Sequence, residues 1–277
     1  MIGICCDSGA QLSPSLAASR HIEVVPLTVT IDGVEHLETD LDPDDFWSNF
    51  ADGRVPSLTT GAPSPGRIAE HHQRLIDRGA TSIVSVHTGS EISGTFNAAR
   101  LAAQESSVPV ELVDTGSASF IVGCATLAAA EVVAAGTSAA DSAEAARAVA
   151  ARCGNVFIVG GLELARAGGR LADGADDATG PAAVPVLRLV GGEMTPVGDA
   201  ETTDRAAEVM AAEILSHPGP LRVGIATADP SSVPVATRLR TILEEALADV
   251  DLLDYRVGPS VGAHTGPGTA GAVYHSL

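Results

Sequence analysis

Short apolar runs alternate along this chain with longer stretches whose apolar positions recur at helical spacing. The first run, residues 2–6, reads as a buried strand ending at Asp7-Ser8-Gly9. A short helix is expected over 12–19, with Pro14 tolerated in its first turn. Residues 21–30 alternate around Val24-Val25-Pro26-Leu27, and Asp32-Gly33 is a hairpin signal. Asp42-Pro43-Asp44-Asp45 combines an N-cap, a proline at N1 and an acidic first turn. The helix it starts carries Trp47 and should stop near Asp52-Gly53. Pro56, Gly61, Pro63 and Pro65 make 56–65 read as a loop. Ser64-Pro65 opens a helix bearing Ile68, His71, His72, Leu75 and Ile76, followed by strand 83–86, helix 96–104, strand 110–113, helix 121–135 and an Ala-rich helix to 152.

Beyond Gly154 the pattern starts again. Strand 155–159 leads to a turn at Ala167-Gly168-Gly169-Arg170 and a Gly/Ala/Asp-rich connection over 172–180. A hairpin follows (184–190 and 193–197, around Gly191-Gly192), then helix 203–215, strand 221–227, helix 230–247, strand 251–257 and a glycine-rich closing loop, 258–271. Strands alternating with helices imply parallel sheets with helical crossovers. The expected fold is α/β and two-lobed: a parallel-sheet N-terminal domain over 1–154 and a smaller α/β C-terminal domain over 155–277. In such sheets ligands gather beyond the carboxyl ends of strands, where Asp7-Ser8, residues 87–93 and 114–117 lie.

Composition narrows the chemistry. Hydrophobic residues are 45% and charged residues 18% of the 277, which describes a globular chain with a real core. The net charge of −19 argues against nucleic acid or an anionic membrane as a partner. All 16 basic residues are arginine, so the phosphate-loop lysine of nucleotide triphosphatases, the strand lysine of kinases and any Schiff-base lysine are missing. This chain is not expected to be the ATP-using partner in a phosphoryl transfer. Cys5, Cys6, Cys124 and Cys153 show neither C-x-x-C nor zinc spacing and read as small buried hydrophobes. No signal peptide is visible at the start, and the apolar run 125–135 contains Glu131 and is too short to cross a bilayer. A cytoplasmic protein without stable membrane insertion is expected.

The stretch that carries most chemistry is His87-Thr88-Gly89-Ser90-Glu91-Ile92-Ser93-Gly94-Thr95. A strand that ends in a Gly/Ser/Thr turn and enters a helix presents free backbone N–H groups, which favour an anion. Ser93 therefore has two readings, a helix cap or the head-group end of a ligand site. Asp7 and Asp114 read as acceptors of backbone hydrogen bonds, with acid/base work as the alternative. His71 and His72 are adjacent on a helix and point apart, which opposes joint metal binding. Gly266-Pro267-Gly268-Thr269-Ala270-Gly271 matches a dinucleotide fingerprint, but that motif needs about 30 residues of following βαβ unit. It reads instead as a loop where backbone comes close to something, presenting His264. Hydroxyls, one histidine and glycine loops can hold a carboxylate, but a buried carboxylate costs several kcal/mol to desolvate. Tight binding would come from an apolar tail, at about 0.8 kcal/mol per buried CH₂.

Taken in order, these segments resemble the DegV family of bacterial fatty-acid-binding proteins, which includes the binding subunits of fatty-acid kinase. The resemblance rests on Asp7-Ser8, on Thr60-Gly61-Ala62-Pro63-Ser64-Pro65 for T-S-Q-P-S, and on Ser90-Glu91-Ile92-Ser93-Gly94-Thr95-Phe96 for S-x-L-S-G-T-Y. It continues through Val113-Asp114-Thr115, Gly168-Gly169-Arg170-Leu171 for G-G-R-I, and 262–268 for G-x-H-x-G-P-G. It implies a lipid-binding protein with no catalysis and no cofactor of its own. The ligand would be a long-chain fatty acid such as hexadecanoate, its carboxylate held by Thr60, Ser93, Gly94, Thr95 and His264. The partner would be an ATP-dependent kinase subunit that makes the acyl phosphate, in keeping with the missing lysine. Two departures stand out. Gly61-Ala62 replaces Ser-Gln, and the region 199–203 lacks an arginine often found before its threonine. The alternatives are an acyl hydrolase or transferase using Ser93, and a lipid-sensing interaction protein without a kinase.

Overall fold

In the computed structural model the described residues are 1–160, 162–169, 171 and 184–277. Arg170 of the expected turn and the 172–180 connection lie outside them. The first half of the chain forms β1 (Ile2–Asp7), α1 (Pro14–Ser19), β2 (Ile22–Val25), β3 (Thr28–Ile31), β4 (Val34–Leu37), α2 (Pro43–Ser48), β5 (Leu58–Gly61), α3 (Pro65–Asp77), β6 (Ser82–His87), α4 (Thr95–Gln104), β7 (Val110–Asp114), α5 (Phe120–Ala134) and α6 (Ala139–Arg152). The second half forms β8 (Gly154–Ile158), α7 (Leu162–Ala167), β9 (Val184–Val190), β10 (Glu193–Ala200), α8 (Thr203–Leu215), β11 (Leu221–Thr227), α9 (Val233–Ala246), β12 (Val250–Arg256), α10 (Pro259–Thr265) and β13 (Ala270–Ser276). Asp42 and Ser64 open their helices as read from sequence, and Ser13 does so for α1: each accepts a backbone N–H at the start of its helix, and each is followed by proline.

The chain divides into two compact units, Met1–Asp40 with Thr60–Ala151 and Leu41–Thr59 with Arg152–Leu277. The segment carrying α2 thus packs with the second half, although it precedes residue 154. Its reason lies in α2 and α10: Phe46 and Trp47 are buried, and a Cβ on Gly262 would fall 2.6 Å from the Trp47 ring and 2.8 Å from Phe46.

In the first unit the sheet order is β2-β1-β6-β7, all parallel. One face packs on α3 and α4 through Ile68, Leu75, Ile83, Ala99 and Ala102. The apolar α5 is buried over most of its length, as a helix apolar all round requires. Residues 21–30 form two strands and not one, because Pro26 offers no N–H to a ladder. Within 56–65 the expected loop gives way to β5. The prolines fall outside Leu58–Gly61, and β5, whose Thr60 and Gly61 belong to this unit, is the edge of a three-stranded sheet in the order β4-β3-β5.

The second unit holds a six-stranded mixed sheet, β10-β9-β8-β13-β11-β12. Its core gathers Val156, Met210, Ile214, Leu221, Val223, Leu239 and Leu243, all fully buried. The expected closing loop over 258–271 is instead the helix α10, a turn and β13. That last strand lies antiparallel between β8 and β11 and is buried on both faces, so its sequence lacks polar alternation. Gly271 is required there, since a Cβ would fall 2.3 Å from the Val156 carbonyl oxygen.

A charge cluster ties β2 to α3. Glu23 accepts from His71 Nδ1 at 2.8 Å, from Arg74 at 3.3 Å and from Arg78. Burial raises the Glu23 carboxyl, but the hydrogen bonds of His71 and Arg78 outweigh it and hold the group at about 2, below its ordinary 4.5. A lowered carboxylate contributes stability that is present above the unfolded value and lost as pH falls toward the folded one. Glu23→Gln is therefore expected to destabilise the protein at pH 7, with the difference from wild type shrinking between pH 4.5 and about 2 in urea titrations. A difference that stays constant down to the lower limit contradicts the cluster's role.

Candidate functional site

The site elements of the first unit sit where three parallel strands end. Asp7 closes β1, His87 closes β6 and Asp114 closes β7. The Asp114 carboxylate accepts the N–H of Ser90 at 3.1 Å and of Gly116 at 3.0 Å. Asp7 is fully buried and accepts the N–H of Thr88 at 2.8 Å and its hydroxyl at 2.9 Å. Both aspartates thus serve as backbone acceptors, as strand-end residues do. Gly89 lies so close to the Gly116-Ser117 turn that a Cβ would meet backbone at 2.7 Å, and its N–H donates to Ser117 at 2.7 Å.

From this fixed tip the chain turns into α4. The Gly89 carbonyl accepts the N–H of Ile92 at 2.9 Å and of Ser93 at 3.0 Å. Ser93 Oγ lies 2.8 Å from Thr95 Oγ1 and accepts the Thr95 N–H at 3.3 Å. The helix's N-cap is Gly94, and no side chain caps it. The helix-cap reading of Ser93 fails in its usual form: the side chain closes a two-residue turn onto the Thr95 N–H, and the N-cap position itself is held by Gly94, which has no side chain to accept a bond. Ser93 is half-buried, Gly94 is exposed and Thr95 is fully buried. Among the described residues the Ser93 hydroxyl bonds to no histidine; its side-chain partner is Thr95.

The second sequence motif lies beside the first. A Cβ on Gly94 would stand 3.7 Å from the Ala62 Cβ, which places the 60–62 segment next to the start of α4. Thr60 is exposed at the end of β5. At Gly61 a Cβ would fall 2.5 Å from Thr28 Oγ1, and that hydroxyl donates to the Gly61 carbonyl at 3.3 Å. Thr28 thus occupies the space a side chain at position 61 would need. Sequence reading missed Thr28, because its only signal is spatial.

His264 belongs to the second unit and stands in the last turn of α10, not on a loop. A Cβ on Gly168 would meet its Nδ1 at 2.3 Å, so the glycine pair after α7 leaves room for the imidazole. The turn that follows is fixed from two sides. Gly268 N–H donates to Asp229 Oδ1 at 2.7 Å, and Gly160 N–H donates to the Thr265 carbonyl at 3.0 Å. A Cβ at Gly160 would lie 1.4 Å from the Pro267 carbonyl oxygen. The close backbone approach expected of 266–271 is therefore an approach to Gly160. Cys5, Cys6 and Cys124 are buried free thiols, while Cys153 is half-buried and departs from the reading as a buried hydrophobe. His71 and His72 bond to different partners, Glu23 and Ser85. Among the described residues no three His, Cys, Asp or Glu side chains gather as a metal site, and no helix is long and apolar enough to cross a membrane.

A family model described as "Uncharacterised protein, DegV family" matches residues 1–277. The chain belongs to the DegV family. A DegV domain-containing protein of Streptomyces coelicolor is 36% identical over 283 residues, covering 99% of this chain and 98% of that one. Among solved structures, a DegV family protein of Thermus thermophilus described by its fatty-acid binding matches with a TM-score of 0.89 at 28% identity, over 100% of this chain and 99% of that one. The Streptococcus pneumoniae fatty acid kinase B3 protein, loaded with linoleic acid, shares the fold with a TM-score of 0.81 at 18% identity and complete coverage of both chains.

The 1.4 Å approach at Gly160 admits no side chain without moving backbone. Gly160→Ala is expected to lower stability by about 3 kcal/mol, read in urea with the single tryptophan as the probe. An unchanged midpoint contradicts the packing described here.

Proposed function

We propose that this protein binds a long-chain fatty acid and holds its carboxylate at the Ser93-Gly94-Thr95 turn, with Thr60 beside it. The observation that carries the reading is the first turn of α4. Its N-cap is a glycine, the hydroxyls of Ser93 and Thr95 stand 2.8 Å apart at its start, and the 60–62 segment lies next to it. Helix-start N–H groups, a helix dipole and hydroxyl donors suit one small anion. The fatty-acid binding described for the Thermus relative, at 28% identity over the full chain, supports a carboxylate as that anion. His264 is kept as a candidate ligand residue on the family resemblance alone.

Charge-assisted hydrogen bonds return about 1.5–3 kcal/mol each, which is close to the desolvation cost of the carboxylate. The head group then supplies orientation and the acyl chain supplies affinity. The chain performs no chemistry in this reading. It presents the carboxylate to a separate ATP-dependent kinase subunit, an assignment that rests on the family resemblance and on the absence of lysine.

Native mass spectrometry of freshly purified protein is expected to show a co-purified fatty acid, and delipidated protein should take up hexadecanoate. Ser93→Ala should weaken uptake about tenfold with an unchanged unfolding midpoint. Delipidated wild type that takes up no long-chain fatty acid contradicts the proposal. Acyl phosphate formed only when kinase subunit, ATP and this protein are combined would support the presenting role.

A further inference from the structure

Behind the Ser93 turn lies a buried polar chain that ligand binding as proposed does not use. In the parallel register Cys5 pairs with Ser85, so the next alternate positions, Asp7 and His87, face the same side of the sheet. His87 Nδ1 lies 3.2 Å from Asp7 Oδ2, and His87 Nε2 lies 2.7 Å from Ser85 Oγ. On that hydroxyl, His72 Nε2 approaches from α3 at 3.0 Å. Asp7, Ser85 and His87 are fully buried and His72 is 2% exposed.

Hydroxyl, imidazole and carboxylate are connected here as in a nucleophilic triad. Burial decides against that use: no substrate reaches Ser85 Oγ, which already holds two imidazoles. The hydrogen-bond count points to a different role. A carboxylate only accepts: Asp7 Oδ1 takes the Thr88 hydroxyl, Oδ2 takes the Thr88 N–H, and His87 Nδ1 is the third donor. His87 Nε2 is then the acceptor of the Ser85 hydroxyl, and Ser85 accepts from His72 Nε2–H. The chain ends at His72 Nδ1, which is buried with no partner among the described residues. With this polarity the orphan is a bare lone pair. The opposite polarity would leave a buried N–H unpaired, the rarer and costlier defect. Burial, with His87 and His71 nearby, pushes the His72 imidazole down to about 4, in keeping with a neutral ring.

We propose that the Asp7–His87–Ser85–His72 chain is the positioning device of the Ser93 turn. His87, buttressed by Ser85 and His72, orients the Asp7 carboxylate, and Asp7 pins Thr88, from which Gly89 holds the N–H groups of Ile92 and Ser93. Gly9 completes the packing, since a Cβ there would crowd both Asp7 Oδ1 at 2.8 Å and Thr88 Oγ1 at 2.9 Å. His87 is a positioning residue, and the ligand-binding consequence of the device rests on the function proposed above.

The test uses the full chain. In protein labelled with ¹⁵N-histidine at pH 7, long-range ¹H–¹⁵N correlation should show His87 as the neutral Nδ1–H tautomer and His72 as the Nε2–H tautomer. His87→Asn keeps a donor toward Asp7, whereas His87→Leu removes it. Amide exchange at Thr88 and Ser93 should accelerate about tenfold or more in His87→Leu and stay near wild type in His87→Asn. Hexadecanoate uptake should follow the same split. An Nε2–H tautomer for His87, or a folded His87→Leu protein with unchanged exchange at both amides, overturns the device. Should His87→Leu fail to fold, the wild-type tautomers and His87→Asn decide it. If wild type takes up no fatty acid, the proposed function fails, and tautomer and exchange still decide the device.

Discussion

The first unit depends on one buried carboxylate. Asp7 ends a central strand and is fully buried, so its two oxygens look to the protein for donors. They find the hydroxyl and N–H of Thr88 and the imidazole of His87, all from the tip of β6. Two neighbouring parallel strands are thereby locked at their carboxyl ends, and the segment leaving β6 starts from a fixed point. The Asp114 carboxylate does the same for the far side of that segment through Ser90 and Gly116. The start of α4 therefore leaves a turn held between two carboxylates, with a glycine at its N-cap, and helix-start N–H groups suit a small anion.

Much of this was legible in the sequence, for identifiable reasons. Asp42 and Ser64 act locally, through the next three residues, and their helices begin where the cap chemistry places them. Asp32-Gly33 turns a hairpin with both residues at positive φ, as that pair suggests. What could not be read depends on register or on distant partners. Ser85 and His87 are two apart on one strand, as Cys5 and Asp7 are on another, but nothing local says that the two pairs share a face. The strand β13 escaped because a strand buried on both faces carries no alternation, and its small residues resemble a loop. The helix α10 was hidden by the glycines around it and by Gly262 within it, where a Cβ would crowd Trp47 and Phe46.

Ser93 illustrates how structure sharpens a sequence expectation. Sequence offered a cap or a ligand site. The geometry removes the ordinary cap and gives the hydroxyl a neighbour, Thr95, in a local turn. His264 shows a different kind of support: Gly168, Gly160 and Asp229 shape the end of α10, and each acts through backbone space or a backbone N–H. Neutral donors, a helix start and a chain without lysine are the features on which the proposed carboxylate site rests.

The central claim is that a fatty-acid carboxylate rests on the Ser93-Gly94-Thr95 turn. The most direct measurement is a nuclear Overhauser or cross-polarisation contact from hexadecanoate labelled with ¹³C at its carboxyl carbon, in full-length protein with assigned resonances. The account predicts contacts from the labelled carbon to Ser93 and Thr95 protons. Bound ligand whose labelled carbon shows no contact to that turn, or whose methyl end contacts it instead, contradicts the account.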